Sequence, residues 1–479
     1  MKNMLKFTKL TREKLTEVAP YFAAQTSHIS DFSVGFQYMW AKYLNPDYAF
    51  VGNCLVIKEL YAGKHFYHYP ISIAATDEER LEEERVALFE IEKHCKDGDE
   101  RLHYTNVPRC RVGEMATVYG NEVLITNPRR WRDYLYPAEN FKTYAGGKFS
   151  GQRNHVNKFK KNYPDWAFHV YKPEDESAVF AFLKEYESSQ RAKHAFLAEE
   201  EMDEVYEILP NIAALGLLGG YLTVGGRIVA ASFGERCGDM IVVHIEKALR
   251  EYEGAYPMMA QQFALAFCDG RCLYLNRMDD AGDRGLRKSK LQYLPCELVD
   301  KYNVTPKRAI DGVSRLPVLK TERLKLAAVK EDDLNDYARL CRDTERNKYW
   351  GYDYREDETN PADEWFLQLA RSDFKHKFEM PLGIYCGGKL VGEAVLHRFG
   401  YRSEAEAGVR LLPEAEGNGY ATEAMRALAE YAFYTLGLER VEAKCYRENV
   451  KSDRMLRAAG FRPCGEDEKF YYFYMTAAM

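Results

Sequence analysis

Residues 413 to 424 read Pro-Glu-Ala-Glu-Gly-Asn-Gly-Tyr-Ala-Thr-Glu-Ala. This loop lies between a predicted strand, Ala405 to Leu412, and a predicted helix, Ala421 to Leu436, in which apolar residues are three and four positions apart. Gly417 and Gly419 allow the backbone to turn so that its N–H groups converge where the helix begins. Free amides and the helix dipole both favour anions. The loop therefore predicts a binding site for the pyrophosphate of a nucleotide-containing cofactor.

The elements predicted around this loop make up an α/β (α+β) domain. From Leu319 onward the patterns indicate a strand, two helices (Glu331 to Arg342 and Pro361 to Arg371), a hairpin and a further strand. The glycine loop, a long helix, a strand, a short helix and a pair of strands follow. We therefore predict a mixed, mostly antiparallel sheet that is flanked by helices.

Three segments of the chain share one hairpin pattern. Each has an apolar strand, a Gly-Asn or Gly-Gly turn and a second apolar strand, at Tyr48 to Ile57, Tyr221 to Ala230 and Ile384 to Gly392. These dipeptides supply the positive φ angles of a two-residue hairpin turn. The turns recur at intervals of about one domain length, so the sequence predicts three repeated units.

The second and third copies of the pattern agree further along the chain. A strand follows each hairpin, and then come a Glu-Gly pair (Glu253-Gly254 and Glu416-Gly417), a helix, a strand, an Asn-containing loop and a short basic helix. Asp-Gly and a proline interrupt the periodicity between residues 311 and 317, and another boundary is predicted near residue 135. The predicted units are therefore 1–135, 136–310 and 318–479.

Composition narrows the class of protein. The 479 residues exceed what one hydrophobic core can organise, and the net charge of −6 gives no global argument for binding nucleic acid or membranes. The 11 Cys lack metal-ligand spacing, which predicts reduced thiols and no metal site. The N-terminal residues lack a signal-peptide pattern, and no apolar run is long enough to cross a bilayer. We expect a cytoplasmic protein without a membrane span.

Three motifs cover the third unit. They are Thr-Glu-Arg-Leu at 321–324, Gly-Asn-Gly-Tyr-Ala-Thr-Glu-Ala at 417–424, and Glu-Asn-Val-Lys-Ser at 448–452 followed by Gly460-Phe461. With them, the stretch from Leu319 to Thr476 resembles the GNAT superfamily, particularly N-acetyltransferases of the RimJ/RimL branch. The resemblance implies an acyl-CoA N-acyltransferase fold with acetyl-CoA as cofactor and an amine as acceptor. The cofactor-binding residues that it implies are Val409, Leu411, Gly417, Asn418, Gly419, Tyr420, Ala421, Thr422 and Asn449.

The third unit departs from the family pattern at one position of the glycine loop. The family usually has Arg or Gln where this chain has Glu416. A carboxylate beside a pyrophosphate is unfavourable unless it points away from the anion. Because the backbone amides do most of the binding, we still expect the loop to hold the cofactor.

The resemblance also points to candidate catalytic residues. Glu404 and Glu406 lie two apart on a strand and so share one face; Glu406 is a candidate general base, with a solvent-facing carboxylate as the alternative. Ser452 resembles the family's proton donor to the leaving thiolate, although a helix cap is the favoured alternative. Asn449 either bonds the pantetheine or shapes its loop. The aromatic residues 349–352 line the acceptor entrance or pack in the core.

Residues 1 to about 310 contain a second set of motifs. With these motifs the region resembles uncharacterised bacterial proteins related to the C-terminal domain of lysylphosphatidylglycerol synthetases, which are built as two GNAT-like folds in tandem. The chain is therefore expected to hold three such folds. The matching residues are Phe36 to Trp40, Tyr134 to Tyr136, Gly147-Lys148, Arg153 to His155, Asn157 to Phe159, His244 to Ala248, Gly254 to Tyr256, Asn276-Arg277, Asp279-Asp280 and Gly285 to Lys288.

Two clusters in the second unit combine basic side chains with acidic ones. Placed on one cleft, they would suit a phosphate-bearing ligand such as an aminoacyl-tRNA end. The alternative is a solvated helix face with structural ion pairs, which we favour for 148–161, whereas we favour a site for 276–280. The glycine loop of this copy, at 253–256, lacks a second Gly, so CoA is less expected there. The candidate residues are Arg153, Asn154, His155, Lys158, Glu246, Lys247, Asn276, Arg277, Asp279, Asp280 and Arg287.

Three hypotheses of function follow. In the first, the third unit transfers an acetyl group from acetyl-CoA to a primary amine of a small molecule or a protein, and the N-terminal units bind the substrate. In the second, the unit at 136–310 is an aminoacyl- or acyl-transferring enzyme that uses a tRNA-borne or lipid acceptor. In the third, the N-terminal region is a non-enzymatic sensing or scaffold module. The acceptor amine and the oligomeric state stay open at this point.

Overall fold

A computed structural model describes residues 5–98, 100–120, 123–190, 196–350, 354, 358 and 361–477. Its strands form three mixed sheets, each flanked by helices, so the predicted fold class is confirmed. Among the described residues, no helix is both long and apolar enough to cross a bilayer. The first sheet contains, in spatial order, β1 (Thr8–Lys9), β2 (Asp47–Val51), β3 (Cys54–Tyr61), β4 (Lys64–His68), β6 (Tyr104–Val107), β15 (Tyr302–Thr305) and β7 (Leu124–Thr126), with β5 (Ile71–Ser72) paired to β3.

The other two sheets repeat this arrangement. The second sheet has the order β14 (Glu297–Val299), β8 (Asp133–Pro137), β13 (Tyr274–Asn276), β12 (Met240–Ala248), β11 (Arg227–Cys237), β10 (Leu218–Val224) and β9 (Ala167–Val170). The third has the order β16 (Leu319–Lys320), β17 (Leu324–Ala327), β18 (Glu379–Cys386), β19 (Lys389–His397), β20 (Glu404–Leu411), β21 (Arg440–Tyr446), β23 (Phe470–Thr476) and β22 (Arg462–Glu466).

The helices cover the faces of these sheets and bury their apolar side chains. In the first unit they are α1 (Leu15–Ala24), α2 (Val34–Leu44), α3 (Asp77–Gly98) and α4 (Val112–Tyr119). In the second they are α5 (Ala138–Thr143), α6 (Ser150–Asn162), α7 (Glu176–Gln190), α8 (Phe196–Ile208), α9 (Ala255–Phe267) and α10 (Arg284–Leu291). In the third they are α11 (Leu334–Arg342), α12 (Thr344–Asn347), α13 (Asp363–Lys375), α14 (Tyr420–Tyr434) and α15 (Val450–Ala459).

The three predicted hairpins are present as β2–β3, β10–β11 and β18–β19. Gly52, Gly225 and Gly387 begin the turns with φ angles of 55°, 58° and 56°. Each sheet also has a parallel pair joined by a helix: β4 with β6, β12 with β13, and β20 with β21. The third pair has a ladder of three residue pairs, ending at Glu406 and Glu442, and the strands then separate into a wedge.

The first two units exchange strands at their ends. The strand β15 pairs with β6 and β7 in the first sheet, although it follows the last strand of the second unit. The strand β8, which spans the predicted boundary near residue 135, pairs with β13 and β14 in the second sheet. The second sheet thus begins at Asp133, and the first sheet draws on residues inside the predicted range 136–310. The division of the chain into three units stays a prediction.

Buried ion pairs hold the exchanged strands together. The ammonium of Lys301, which precedes β15, lies 2.8 Å from an oxygen of Asp133 at the start of β8. It also forms an ion pair with Asp31, from the segment between α1 and α2. Burial alone would lower the pKa of Lys301, but the carboxylates of Asp133 and Asp31 outweigh it and raise the pKa. Lys301 therefore stays charged and links both sheets.

Candidate active site

The predicted glycine loop forms a cradle of free amides at the start of α14. Gly417 and Gly419 have φ angles of 77° and 75°, and Gly419 precedes the first turn of α14 without a capping side chain. In the described part of the chain, the N–H groups from Gly417 to Thr422 donate to no acceptor of the protein. Such amides, together with the positive end of the helix dipole, form an anion site. This fits a pyrophosphate. We call residues 417–422 the cradle.

Arg323 adds a positive charge to the cradle. Its side chain donates a hydrogen bond to the carbonyl oxygen of Asn418, at 2.9 Å. Its Nε also donates to a carboxylate oxygen of Glu423, at 2.7 Å, and the hydroxyl of Thr321 donates to the other oxygen, at 2.5 Å. The motif at 321–324 therefore fixes the first turn of α14. The sequence pattern singled out this motif but gave no role to its arginine.

The unfavourable charge of Glu416 has a partner in the structure. The ammonium of Lys451, in the first turn of α15, lies 2.9 Å from a carboxylate oxygen of Glu416. This pair offsets the departure from the family pattern, because the carboxylate does not face the cradle as an unpaired charge. Lys451 belongs to the third motif, but the sequence gave no indication that it reaches the glycine loop.

The wedge between β20 and β21 leads from the cradle to the candidate base. Val409 and Leu411 lie on β20 beyond the last pair with β21, so this edge of the strand is free for another extended group. A pantetheine arm has the length and the amides to pair there. The unpaired backbone edge of β20 and the free amides of the cradle thus follow one another along the chain, and their chemistry fits coenzyme A.

Asn449 and Ser452 lie together at the start of α15. Asn449 is the N-cap, and its side-chain oxygen accepts a hydrogen bond from the backbone N–H of Ser452, at 3.2 Å. The favoured alternative for Ser452, a helix cap, is therefore wrong, because the residue three positions earlier caps the helix. A hydrogen bond from Ser452 acts on Cys445 of β21, although burial dominates and raises the pKa of that thiol to about 11. The side chain of Ser452 thus lies against the wedge strand.

Glu406 lies where the wedge opens, beside two cations and a histidine. Its carboxylate is 2.8 Å from the ammonium of Lys444, 3.5 Å from Nε of Arg398 and 3.7 Å from Nε2 of His397. Burial alone would raise the pKa of Glu406, but the charges of His397 when it is protonated, and of Lys444 and Arg398, outweigh burial and lower the pKa. Burial lowers the pKa of His397 to about 4, so this imidazole is neutral at pH 7. Glu406 is therefore a paired, ionised carboxylate.

Aromatic side chains cover the same face of the sheet. The ring of Trp350 lies over the guanidinium of Arg410, at 4.3 Å, and the ring of Tyr349 lies 5.3 Å from that of Tyr446. Arg410 forms a buried ion pair with Glu393, at 2.6 Å. Both aromatic residues thus border the wedge and contact its strands. The other two residues of the predicted aromatic cluster, Gly351 and Tyr352, lie outside the described residues.

The first unit reaches this face through the end of α3. The ammonium of Lys96 lies 3.2 Å from Glu404 and 3.6 Å from Glu442. The neighbouring Asp97 forms an ion pair with Arg398, which also contacts Glu406. The N-terminal region therefore contributes charges beside the candidate base. No sequence signal indicates this contact, because it joins segments more than 300 residues apart.

In the second unit, the position that corresponds to the cradle is covered. Gly254 precedes α9 with a φ angle of 88°, but a Cβ there would lie 2.4 Å from the carbonyl oxygen of His155 in α6. Lys158 of the same helix forms an ion pair with Glu253, at 2.6 Å. Because α6 packs over this turn, the turn at 253–254 is not an open anion site comparable to the cradle. Asn154 and the side chain of His155 are exposed.

Four residues of the predicted second site form ion pairs with each other. Arg277 pairs with Glu246, at 2.5 Å, and Asp280 pairs with Arg287, at 2.9 Å. The hydrogen bonds of Asp280 outweigh its burial and hold its pKa below the usual range, whereas burial raises the pKa of Asp279 to about 6. These contacts agree with the alternative in which the charged residues form structural ion pairs. Three other residues of the predicted site bond outside it: Arg153 donates to the carbonyls of Tyr144 and Gly146, Asn276 donates to Asp133, and Lys247 lies over the ring of Tyr186.

Comparison with known proteins identifies the two regions separately. Residues 22–305, more than half of the chain, match the family described as phosphatidylglycerol lysyltransferase, C-terminal. The chain belongs to this family. Residues 323–462 match the family described as acetyltransferase (GNAT) domain. Both resemblances that the sequence motifs indicated are confirmed.

Individual relatives support the match to the acetyltransferase (GNAT) domain. The uncharacterized N-acetyltransferase YoaA of Bacillus subtilis is 26% identical over 159 residues, which are 33% of this chain and 89% of that protein. YnaD of the same organism, also described as an uncharacterized N-acetyltransferase, is 31% identical over 97 residues, which are 20% of this chain and 56% of that protein.

A solved structure extends the similarity to a larger part of the chain. It is a conserved protein of unknown function from Bacteroides thetaiotaomicron VPI-5482, with 25% sequence identity and a TM-score of 0.59. The alignment covers 64% of this chain and 100% of that protein. The GNAT domain and the N-acetyltransferase relatives make the chain an acetyl-CoA-dependent N-acetyltransferase, so the predicted enzyme class and the cofactor are confirmed.

Proposed function

We propose that the GNAT domain transfers the acetyl group of acetyl-CoA to a primary amine, on the sheet face that carries Glu406. The observation that carries this proposal is the succession along β20 of Glu406 at the last rung with β21, an unpaired strand edge and then the free amides of the cradle. It brings an anion site, an extended groove and a carboxylate together in the order that a thioester donor requires.

The residues of this surface have separate tasks in the proposed reaction. The cradle holds the pyrophosphate, and Val409 and Leu411 orient the pantetheine. Acetyl-CoA supplies an activated acyl carbon as its thioester. Glu406 accepts the proton of the attacking amine, directly or through water, because its cationic neighbours keep it ionised. Ser452, held by Asn449, donates a proton to the departing thiolate.

A panel of amines tests this proposal. The full chain is incubated with acetyl-CoA and one amine at a time: a small alkyl amine, a polyamine, an aminoglycoside or a peptide with a free N terminus. We expect at least one of these to increase thiol release above the hydrolysis measured without amine, with acetylated product detected by mass spectrometry. Thiol release that no primary amine increases would contradict the proposal.

We further propose that the N-terminal region forms one wall of the acceptor site. The contacts of Lys96 and Asp97 support this role, since they lie beside the face on which the amine must approach Glu406. They also link the first unit to the protonation of Glu406, because Asp97 holds Arg398 next to that carboxylate. This gives the N-terminal region a physical task in substrate binding.

Changing Asp97 to Asn in the full chain tests this wall. Without its carboxylate partner, Arg398 is held less firmly beside Glu406, so the pKa of Glu406 rises and the acid limb of the kcat/KM profile moves to higher pH. At the acid side we expect a loss of about 2- to 5-fold, as for a partly exposed ion pair. Glu92→Gln is the control, because Glu92 pairs with Arg402 at the same interface. A shift of the acid limb in the control alone, or in neither variant, would contradict the proposal that the N-terminal region forms this wall.

A second candidate function concerns a phosphate-bearing ligand, such as a tRNA end, on α10. Arg284 and Lys288 line a cavity of about 420 Å³, and in the described residues neither forms an ion pair. We expect that Arg284→Met with Lys288→Met weakens tRNA binding and flattens its salt dependence. Lys375→Met with Lys389→Met is the control, because it removes the same charge from exposed positions of the third unit. Binding that the first pair of substitutions leaves unchanged would remove this candidate.

A further inference from the structure

A basic notch lies beside the cradle. It is a cavity of about 260 Å³ between the β16–β17 turn and the turn of the β18–β19 hairpin. Its cationic lining residues, which define the basic notch, are Lys320, Arg323, Lys325 and Lys330. The cavity is large enough for a phosphate group with part of its sugar.

The charges of the basic notch are poorly balanced. Lys320 and Lys325 are directly opposite each other on β16 and β17, and like charges in that position destabilise a sheet. Over the described ranges, neither of them nor Lys330 forms an ion pair, and Lys330 lies over the ring of Tyr385, at 5.3 Å. Three carboxylates are nearby: Glu322 lines the cavity, Asp333 accepts a hydrogen bond from Tyr385, and Glu423 forms an ion pair with Arg323. Cations therefore exceed anions around the cavity.

Arg323 connects the basic notch to the cradle. Arg323 lines the cavity, and its guanidinium donates to the carbonyl of Asn418, inside the cradle. The pyrophosphate of coenzyme A and the phosphate on its ribose are neighbours in the same molecule. An anion held at the cradle therefore places a second phosphate within reach of this arginine and the lysines behind it.

Protection of a sheet edge is the alternative role for these lysines. Charged side chains, especially Lys, do guard exposed edge strands, and β16 is the edge of the third sheet. However, Lys325 lies on β17, which pairs with strands on both sides, and Lys330 follows that strand. Edge protection thus explains Lys320 but leaves the other two lysines without a reason.

We propose that the basic notch binds the 3′-phosphate of coenzyme A while the cradle holds the pyrophosphate. The inference rests on the binding of acetyl-CoA at the cradle and adds a subsite to it. Charge-assisted contacts from Lys320, Lys325 and Arg323 would hold the 3′-phosphate, which carries more than one negative charge at neutral pH. They would also relieve the repulsion between the two opposed lysines.

Calorimetric titration with coenzyme A and with 3′-dephospho-coenzyme A tests the subsite. We expect the unchanged protein to bind coenzyme A about 10- to 100-fold more tightly than the dephospho form. In the variant Lys320→Met with Lys325→Met, the affinity for coenzyme A falls to that for the dephospho form, which itself stays the same. Lys160→Met with Lys161→Met is the control, because it changes the net charge equally on the distant α6.

The possible failures can be told apart. Equal affinities of the unchanged protein for both ligands, or an equal loss of both in the notch variant, would overturn the subsite while leaving the cradle intact. No binding of either ligand to the unchanged protein would overturn the cradle and the subsite together.

Discussion

Acetyl-CoA binding is lost when Gly417 and Gly419 are both changed to valine. Both residues have φ angles in the left-handed region, 77° and 75°, which a β-branched side chain adopts only at a cost. Relief of that strain turns the cradle amides away from the anion, and each charge-assisted hydrogen bond lost weakens binding further. We expect the dissociation constant, measured by calorimetry on the full chain, to rise about 100-fold or more.

Gly437→Val is the matched control for this prediction. Gly437 lies between α14 and β21 and also has a positive φ angle, 70°, and a Cβ at this position would point into open space. The variant carries a similar backbone strain outside the cradle, so its dissociation constant should stay close to that of the unchanged protein. Retained affinity for acetyl-CoA in the Gly417 and Gly419 variant would contradict binding of the cofactor at the cradle. Equal losses in it and the control would point to general destabilisation.

The change of Glu406 to Gln gives the largest expected loss of turnover. The variant keeps the shape of the side chain but cannot accept a proton, so we expect kcat to fall about 10²- to 10⁴-fold. The dissociation constant of acetyl-CoA should not change, because Glu406 lies outside the cradle. Since its neighbours lower the pKa of Glu406, the unchanged enzyme should lose activity only as the pH falls well below neutrality. The variant should lack this acid limb.

Glu442→Gln is the control for the general base. Glu442 is the register neighbour of Glu406 across the last rung between β20 and β21, and it pairs with Lys96 and Arg440. Loss of the Glu442 carboxylate should change kcat only several-fold. Equal losses in both variants would show that Glu406 acts through the charge balance of the cluster. Full turnover in the Glu406 variant would show that another group accepts the proton.

Local sequence signals predicted the turns and the cradle. The Gly-Asn and Gly-Gly turns are confirmed because positive φ angles depend on neighbouring residues only. The exchange of β8 and β15 could not be predicted. A strand of four residues such as Tyr302–Thr305 could pair in either sheet, and the sheet that it joins depends on packing against distant segments.

The contacts of the candidate site also divide into those that neighbouring residues predict and those that depend on packing of distant segments. The glycines, Asn449 and the motif at 321–324 could be recognised in the sequence. The pairing of Glu416 with Lys451 could not be predicted, because it depends on how α15 packs against the glycine loop. In the second unit, charge density predicted a site at 276–280, but acids and bases of one cluster bond to each other once they are buried. Charge density in a sequence does not distinguish a structural network from a binding site.

Calorimetric titration of the full chain with acetyl-CoA tests the assignment of the GNAT domain most directly. We predict one binding site per chain with a micromolar dissociation constant, and its loss in the Gly417 and Gly419 variant but not in Gly437→Val. No binding of acetyl-CoA to the unchanged, folded protein would contradict the assignment. The charge of Glu416 in the glycine loop would then be the first feature to change.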